Sequence, residues 1–159
     1  MRGIVMCGGF ENFVGLRGVR EFVVGVEDSA RSLGSGDVNV LSTPSMIRMM
    51  EETSRLLVQD KLPEGYTTVG VRVDVRHLKA ASVGCKIKVV SELLKVEGRR
   101  LVFRVEAYWR NEKIGEGVHE RFIVSRRDFW RRLKGGWVGY SWFSELPFLK
   151  GRGFLVCWS

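Results

Sequence analysis

Apolar side chains recur at three- and four-residue spacing in residues 43–62, as in an amphipathic α-helix. Thr43 suits the N-cap position of this helix, and Pro44 suits its first turn. Pro63 and Gly65 follow the pattern and would end the helix. The pattern therefore predicts one long helix whose apolar face is formed by Met46, Met49, Met50, Thr53, Leu56 and Leu57.

The predicted helix carries two adjacent glutamates whose surroundings differ. At about 100° per residue, Glu52 falls opposite the apolar face, within pairing distance of Arg48 and Arg55. Glu51 falls beside Ile47, at the border of the apolar face. The pattern makes Glu52 a solvent-exposed residue and Glu51 the carboxylate nearest to a buried surface.

Alternating apolar and polar positions predict strands on both sides of the helix. Residues 19–26 form a first strand, and residues 27–42 are polar and rich in Gly and Ser, as in a turn followed by a loop. Strict alternation at 67–77 places His77 on the same face as four valines. Further strands are predicted at 84–98, 99–110 and 113–124. A long helix that covers an antiparallel sheet is an α+β fold.

The composition is that of one globular domain, with 45% hydrophobic and 28% charged residues. No apolar run reaches the roughly 20 residues that a membrane span requires. The N-terminal segment has too short an apolar stretch for a secretory signal. We therefore expect a cytoplasmic protein that does not enter a membrane.

The net charge of +8 is concentrated near the C-terminus. Residues 125–159 contain seven Lys or Arg and two acidic residues, a balance of +5, which leaves +3 for the rest of the chain. The same segment holds nine of the seventeen aromatic residues and four of the five tryptophans. Stacking and phosphate pairing in this segment would be the route to a nucleic acid, but no nucleic-acid-binding motif accompanies the charge. We expect a domain at 1–125 and a basic, aromatic-rich extension at 126–159, with a basic helix at its start.

The chain offers few ligands for a metal ion. Cys7, Cys85 and Cys157 lie far apart, there is no CxxC motif, and His77 and His119 are the two histidines. A zinc site needs about four such ligands at close spacing. The sequence therefore predicts neither a metal site nor a cofactor.

Three side chains with catalytic chemistry are predicted to meet where the helix packs on the sheet. Thr43 lies at the helix N-terminus, Glu51 lies about two turns later, and His77 ends the strand that faces the helix. The partial positive charge of a helix N-terminus can stabilise an oxyanion. Each residue also has a structural interpretation: Thr43 as a cap, Glu51 as a solvated edge and His77 as a core residue. The pattern alone leaves both interpretations open.

Several motifs in residues 19–125 bear on this choice. They are STP…MEE at 42–52, VRH at 75–77 and GEGVHERF at 115–122. In order and spacing they resemble the hot-dog-fold thioesterases of the fluoroacetyl-CoA thioesterase type. The resemblance implies a hot-dog fold, in which a long central helix packs against a curved antiparallel sheet. It also implies hydrolysis of a short or medium acyl-CoA without a cofactor, by a homodimer or higher homo-oligomer with its acyl site at the subunit interface.

The resemblance further implies roles for individual residues. Glu51 would act as nucleophile or general base, and His77 would handle the proton of water or of the leaving thiolate. Thr43 would hydrogen-bond the carboxylate or the carbonyl. Gly70 matches a family glycine whose small size would let the substrate approach.

Other matching positions have weaker implications. Arg76, together with Arg72 and Lys79, would meet the phosphates of CoA, although solvated strand-face charges have the same pattern. His119 and Arg121, in the HER segment, are interpreted as structural.

The chain also departs from the family pattern. Residues 30–42 correspond to a lid segment that carries phenylalanines in the fluoroacetyl specialists, and here the segment has no aromatic residue. The resemblance therefore implies a thioesterase without fixing its acyl group. The stretch at 36–42 echoes an enoyl-CoA hydratase motif, but Val40 replaces its proline and Ser42 replaces its catalytic histidine. A non-catalytic module that binds acyl-CoA remains as the alternative to an enzyme.

Overall fold

A computed structural model describes residues 10–134, which form a five-stranded antiparallel sheet and two α-helices. The long helix α1 packs on one face of the sheet, so the predicted α+β arrangement is confirmed. The strands are β1 (Arg17–Val23), β2 (Tyr66–His77), β3 (Lys86–Glu97), β4 (Arg100–Trp109) and β5 (Glu112–Ser125), and the helices are α1 (Thr43–Gln59) and α2 (Arg126–Lys134). Short 3-10 turns lie at Glu11–Phe13 and Val26–Asp28.

The chain divides into two compact units after Arg126. The first unit contains all five strands and α1, and α2 begins the second. Residues 135–159, for which the sequence predicts no regular structure, lie outside the described residues. No helix within residues 10–134 is long and apolar enough to cross a membrane.

The order of strands in the sheet is β1-β3-β4-β5-β2. The consecutive strands β3, β4 and β5 are therefore flanked by β1 on one side and β2 on the other. Within residues 10–134, β2 has no neighbour beyond it and leaves a twelve-residue edge unpaired. An exposed edge of this length is a ready site for pairing with another strand.

The buried face of α1 differs in part from the predicted one. Met46, Met49 and Met50 are fully buried, as expected, but Val58 is buried where Leu56 is only half-buried. At residues 54–58 the helix is therefore rotated slightly about its axis relative to the orientation that the sequence predicts.

Ser54 is also buried in this face, although its type suggests a solvent position. Its hydroxyl bonds the carbonyl of Met50 at 2.9 Å and the hydroxyl of Ser91 on β3 at 2.8 Å. Because both partners are buried, the serine is satisfied without water. This polar contact holds α1 against β3.

The N-cap of α1 is Ser42, and the prediction of Thr43 for this role is wrong. The Ser42 hydroxyl accepts a hydrogen bond from the backbone N–H of Ser45 at 3.1 Å, as an N-cap does. Thr43 is the first helical residue instead. Its hydroxyl is therefore available for another partner.

The predicted strict alternation of β2 is wrong at a β-bulge. Gly70 pairs with Arg121 of β5, but Arg72 pairs with the very next residue of β5, Glu120. The extra residue on β2 shifts its alternation by one position. Thr68 is buried and Gly70 faces α1 before the bulge, and His77 faces α1 after it. Two residues seven positions apart, which a regular strand would put on opposite faces, thus face the same helix.

Candidate active site

The N-terminus of α1 meets the end of β2 through Thr43 and His77. The Thr43 hydroxyl lies 2.9 Å from Nδ1 of His77, so the two side chains share a hydrogen bond. Gly115 pairs with His77 across the sheet, and a Cβ at this glycine would lie only 2.5 Å from Sδ of Met46. The missing side chain of Gly115 therefore lets the first turn of α1 approach the sheet closely enough for this bond.

The environment of His77 favours a neutral imidazole. Burial lowers its pKa, and the nearby backbone of Lys79 opposes this effect in part. Nε2 is buried and has no hydrogen-bond partner within residues 10–134. One ring nitrogen is therefore held by Thr43 while the other is left to a further group.

Glu51 lies in a second cluster, over the part of β2 that precedes the bulge. Its side chain is 38% exposed, and Oε1 lies 3.6 Å from Nε2 of His119. A Cβ at Gly70 would come within 2.6 Å of the same oxygen. The carboxylate thus lies against the bare backbone of Gly70, with one side open to solvent.

His119 is almost fully buried, at 1% exposure, and its tautomer follows from its partners. Nδ1 lies 3.0 Å from the carbonyl oxygen of Arg72, which can only accept, so Nδ1 carries a proton. Nε2 lies 3.0 Å from Nη1 of Arg121, which can only donate, so Nε2 accepts. Burial lowers the pKa of His119, in agreement with a neutral ring.

Arg121 is buried beneath this histidine and is held by β2. Its Nε donates to the hydroxyl of Thr68 and its Nη2 donates to the carbonyl of Thr68, both at 2.8 Å. Burial lowers the pKa of Arg121 to about 10, and the charge of Glu51 opposes that effect. The guanidinium is still a cation at neutral pH.

The sequence motif favours a structural interpretation of His119 and Arg121. It does not predict that they lie directly below Glu51. The signal was present in the sequence, because residues 119 and 121 share a face of β5 with the buried Ile123. Two ionisable side chains on an otherwise core-facing row point to a polar cluster inside the fold.

The five predicted site residues do not form one cluster. The structure joins Thr43 to His77 and places Gly70 beside Glu51. Glu51 lies eight residues after Thr43, about 12 Å along the helix. No hydrogen bond or ion pair within residues 10–134 links Glu51 to Thr43 or His77.

Arg76 lies on the strand position next to His77 and therefore on the opposite face of the sheet from α1. It is exposed, whereas Arg72 pairs with Glu120 and Lys79 pairs with Glu112. Of the three predicted phosphate contacts, two already have carboxylate partners. Within residues 10–134 no group of three or more His, Cys, Asp or Glu side chains is arranged to hold a metal ion.

The model of a family described as fluoroacetyl-CoA-specific thioesterase matches residues 24–127 of the chain. The chain belongs to this family. It is 32% identical to the fluoroacetyl-CoA thioesterase of Streptantibioticus cattleyicolor over 122 residues, 73% of this chain and 88% of that protein.

Solved structures agree with this assignment. A structure of the fluoroacetyl-CoA thioesterase is 30% identical, with a TM-score of 0.73, and the match covers 79% of this chain and 97% of the other. A hot-dog-like protein from Thermanaerovibrio acidaminovorans is 26% identical, with a TM-score of 0.75, over 82% of this chain and 98% of the other. The predicted hot-dog fold and the family resemblance are both confirmed.

The two buried histidines predict how the stability of this family member depends on pH. Their pKa values are lower in the folded state than the ordinary 6.5, so the unfolded chain binds more protons just below that pH. The free energy of unfolding should therefore be fully retained above pH 6.5 and fall as the pH drops below it. Urea denaturation at pH values from 5 to 8 measures this slope.

His119→Gln and His77→Gln are the matched variants for this measurement. Each should flatten the slope between pH 5 and about 6.5, whatever it does to stability at pH 8. Carboxylates such as Glu106, whose pKa is lowered by Lys113, act at lower pH and should leave this window unchanged. A slope that stays the same in both variants would show that neither histidine is held neutral.

Proposed function

We propose that the protein hydrolyses short or medium acyl-CoA thioesters, with Thr43, Glu51 and His77 as its catalytic side chains. Membership of the thioesterase family supports the reaction. The hydrogen bond of 2.9 Å between Thr43 and His77, at a helix N-terminus, is the observation that carries the assignment of the site. A hydroxyl and an imidazole at the positive end of a helix suit a reaction that develops negative charge on a carbonyl oxygen.

In the proposed reaction, water adds to the thioester carbonyl and the carbon–sulfur bond then breaks. Glu51 is the general base that takes a proton from the attacking water, because its carboxylate is 38% exposed and open to solvent. The Thr43 hydroxyl donates to Nδ1 of His77, and Nε2–H of His77 donates to the departing sulfur. The proton held by Glu51 then passes to the thiolate or to solvent, which yields the free acid and CoA.

The segment before α1 supports an acyl group other than fluoroacetyl. The structure holds this segment through bridges from Ser29 to Leu41 and from Val40 to Ser82. Its exposed apolar side chains, Leu33 and Val38, are aliphatic. A lid with aliphatic side chains offers an apolar contact surface to an alkyl chain, whereas a lid with phenylalanines would offer aromatic rings.

We further propose that the catalytic unit is a homodimer that pairs through β2, with residues 126–159 as an extension outside this unit. Both clusters lie on β2, the edge strand: one at Gly70 and the other at His77. An antiparallel two-fold pairing centred between Val73 and Asp74 would set Gly70 of one protomer opposite the partner's His77. Such a dimer would bring Glu51 of one subunit to the Thr43–His77 pair of the other.

The separation of Glu51 from Thr43 and His77 within one chain also favours a second candidate function. A hot-dog module without turnover would bind acyl-CoA in the same cleft. It would show saturable binding of butyryl-CoA and no release of CoA thiol.

Release of CoA thiol from acetyl-, fluoroacetyl-, butyryl- and hexanoyl-CoA tests the proposed function. We expect turnover of at least one of the acyl-CoAs without fluorine. Glu51→Gln and His77→Asn should each lower kcat/KM by about 100-fold or more, because each removes a group that acts on a proton or on the leaving sulfur. Glu52→Gln is the matched control, since Glu52 pairs with Arg48 and Arg20 on the outer side of α1. Binding of butyryl-CoA without turnover would establish the second candidate instead.

Gly70→Ala tests the placement of the carboxylate. The new methyl group would lie 2.6 Å from Oε1 of Glu51 and force it aside, while the backbone of Gly70 can accept alanine. We expect kcat/KM to fall by about 100-fold and the free energy of unfolding to change by less than about 1 kcal/mol. Gly18→Ala is the control, because its methyl group would displace only Leu57 on the far side of α1. Equal rates in both variants would remove Glu51 from the mechanism.

Complementation between two inactive variants tests the proposed dimer. A heterodimer of Glu51→Gln and His77→Asn subunits, isolated by two affinity tags, would contain one intact site if the site is shared. We expect about half of the wild-type activity per dimer, against near-zero activity of each parent. An inactive heterodimer would show that each site lies within one subunit, and light scattering would report whether a dimer forms at all.

A further inference from the structure

Two groups compete for Nε2 of the buried His119. Nη1 of Arg121 lies 3.0 Å from this nitrogen, and Oε1 of Glu51 lies 3.6 Å from it. Arginine can only donate and a carboxylate can only accept. Nε2 therefore bonds Arg121 when it carries no proton and would bond Glu51 when it carries one. Whether Nε2 carries a proton therefore determines which of these two groups it bonds.

Arg121 is fixed so that it holds Nε2 in the unprotonated state. Its guanidinium donates hydrogen bonds to the hydroxyl and the carbonyl of Thr68, and Nη1 is left directed at His119. The carbonyl of Arg72, beside the bulge, accepts a hydrogen bond from Nδ1–H at 3.0 Å. Both nitrogens of His119 are thus occupied without any contribution from Glu51.

The groups around His119 come from several elements, and most of them act on its pKa. Burial and the charge of Arg121 lower its pKa, while the Arg72 carbonyl, Glu51 and Glu120 raise it. From β4, Phe103 stacks on the ring with centroids 6.4 Å apart and adds no charge. On α1, Arg55 lies near enough to act on Arg121. Arg121 is the cation in direct contact with His119, so its removal would leave two carboxylates that favour protonation.

We propose that Arg121 is a positioning residue that keeps the Glu51 carboxylate free for catalysis by occupying Nε2 of His119. The proposal rests on the role proposed above for Glu51. Without Arg121, the ring would take up a proton and the imidazolium would form an ion pair with Glu51. A carboxylate bound in this way is a weaker base, because the imidazolium occupies one of its oxygens and stabilises its negative charge.

The pH profile of Arg121→Gln distinguishes this role from a merely structural one. With acetyl-CoA and butyryl-CoA as substrates, we expect kcat/KM to fall about tenfold for each pH unit below the new titration of His119 and to recover above it. The double variant His119→Gln/Arg121→Gln has no imidazole to protonate and should lose this acid-side fall. A uniform loss at every pH, or a double variant that behaves like the single one, would overturn the proposal.

Imidazole ¹⁵N spectra of the full chain provide a readout that needs no turnover. The chain has two histidines, so His77→Asn assigns the remaining signals to His119. In the wild type at pH 7 we expect a neutral His119 with its proton on Nδ1, and in Arg121→Gln we expect a doubly protonated ring. Arg104→Gln, which breaks an ion pair with Glu92 on the other face of the sheet, should leave the His119 signals unchanged. A neutral His119 in Arg121→Gln would overturn the proposal.

Thr68→Val keeps the test decisive if Arg121→Gln does not fold. This nearly isosteric change removes one of the two anchors of the guanidinium and retains its charge. We expect a smaller shift of the His119 titration in the same direction, and no shift would contradict the proposal. A wild-type protein that hydrolyses none of the acyl-CoAs would refute the proposed function, while the ¹⁵N spectra would still decide whether Arg121 holds the proton of His119 in place.

Discussion

One extra residue on the edge strand β2 determines where the whole candidate site lies. In a regular strand Gly70 and His77 would point to opposite faces, because seven positions separate them. The bulge between Gly70 and Arg72 shifts the alternation, so both residues face α1. It also leaves the carbonyl of Arg72 directed at His119. Bulges often re-aim side chains next to active sites, and here a single bulge serves both clusters.

The other half of the arrangement is the fixed position of α1 above this strand. The buried bond between Ser54 and Ser91 holds the middle of the helix, and the missing side chain of Gly115 lets its first turn approach the sheet. Because Ser42 caps the helix, the hydroxyl of Thr43 is free to bond His77. Polar contacts and one glycine therefore set the register between helix and sheet, and the three buried methionines fill the remaining space with flexible side chains.

Periodicity was sufficient to predict the long helix, the antiparallel strands and the side of α1 on which Glu51 lies. It failed at β2, because valines occupy every second position through the bulge and make a shifted strand look regular. It also failed at the helix start, since Ser42 and Thr43 are both good caps and only the structure shows which hydroxyl meets Ser45 N–H. His119 and Arg121 were recognised as a motif, but their position below Glu51 depends on the pairing of β5 with the bulged strand.

The buried guanidinium of Arg121 is hard to explain by stability alone. Moving a cation out of water costs several kcal/mol, and apolar residues of similar volume often replace buried ion pairs without loss. Here Glu51, whose charge acts on that guanidinium, is half-exposed and makes no direct ion pair with it within residues 10–134. The guanidinium N–H groups form hydrogen bonds with Thr68 and His119 instead, and both of these residues are neutral. A cation kept near a carboxylate but separated from it by a neutral imidazole leaves the lone pairs of that carboxylate uncovered. That arrangement suits a general base, which needs a free lone pair to take a proton.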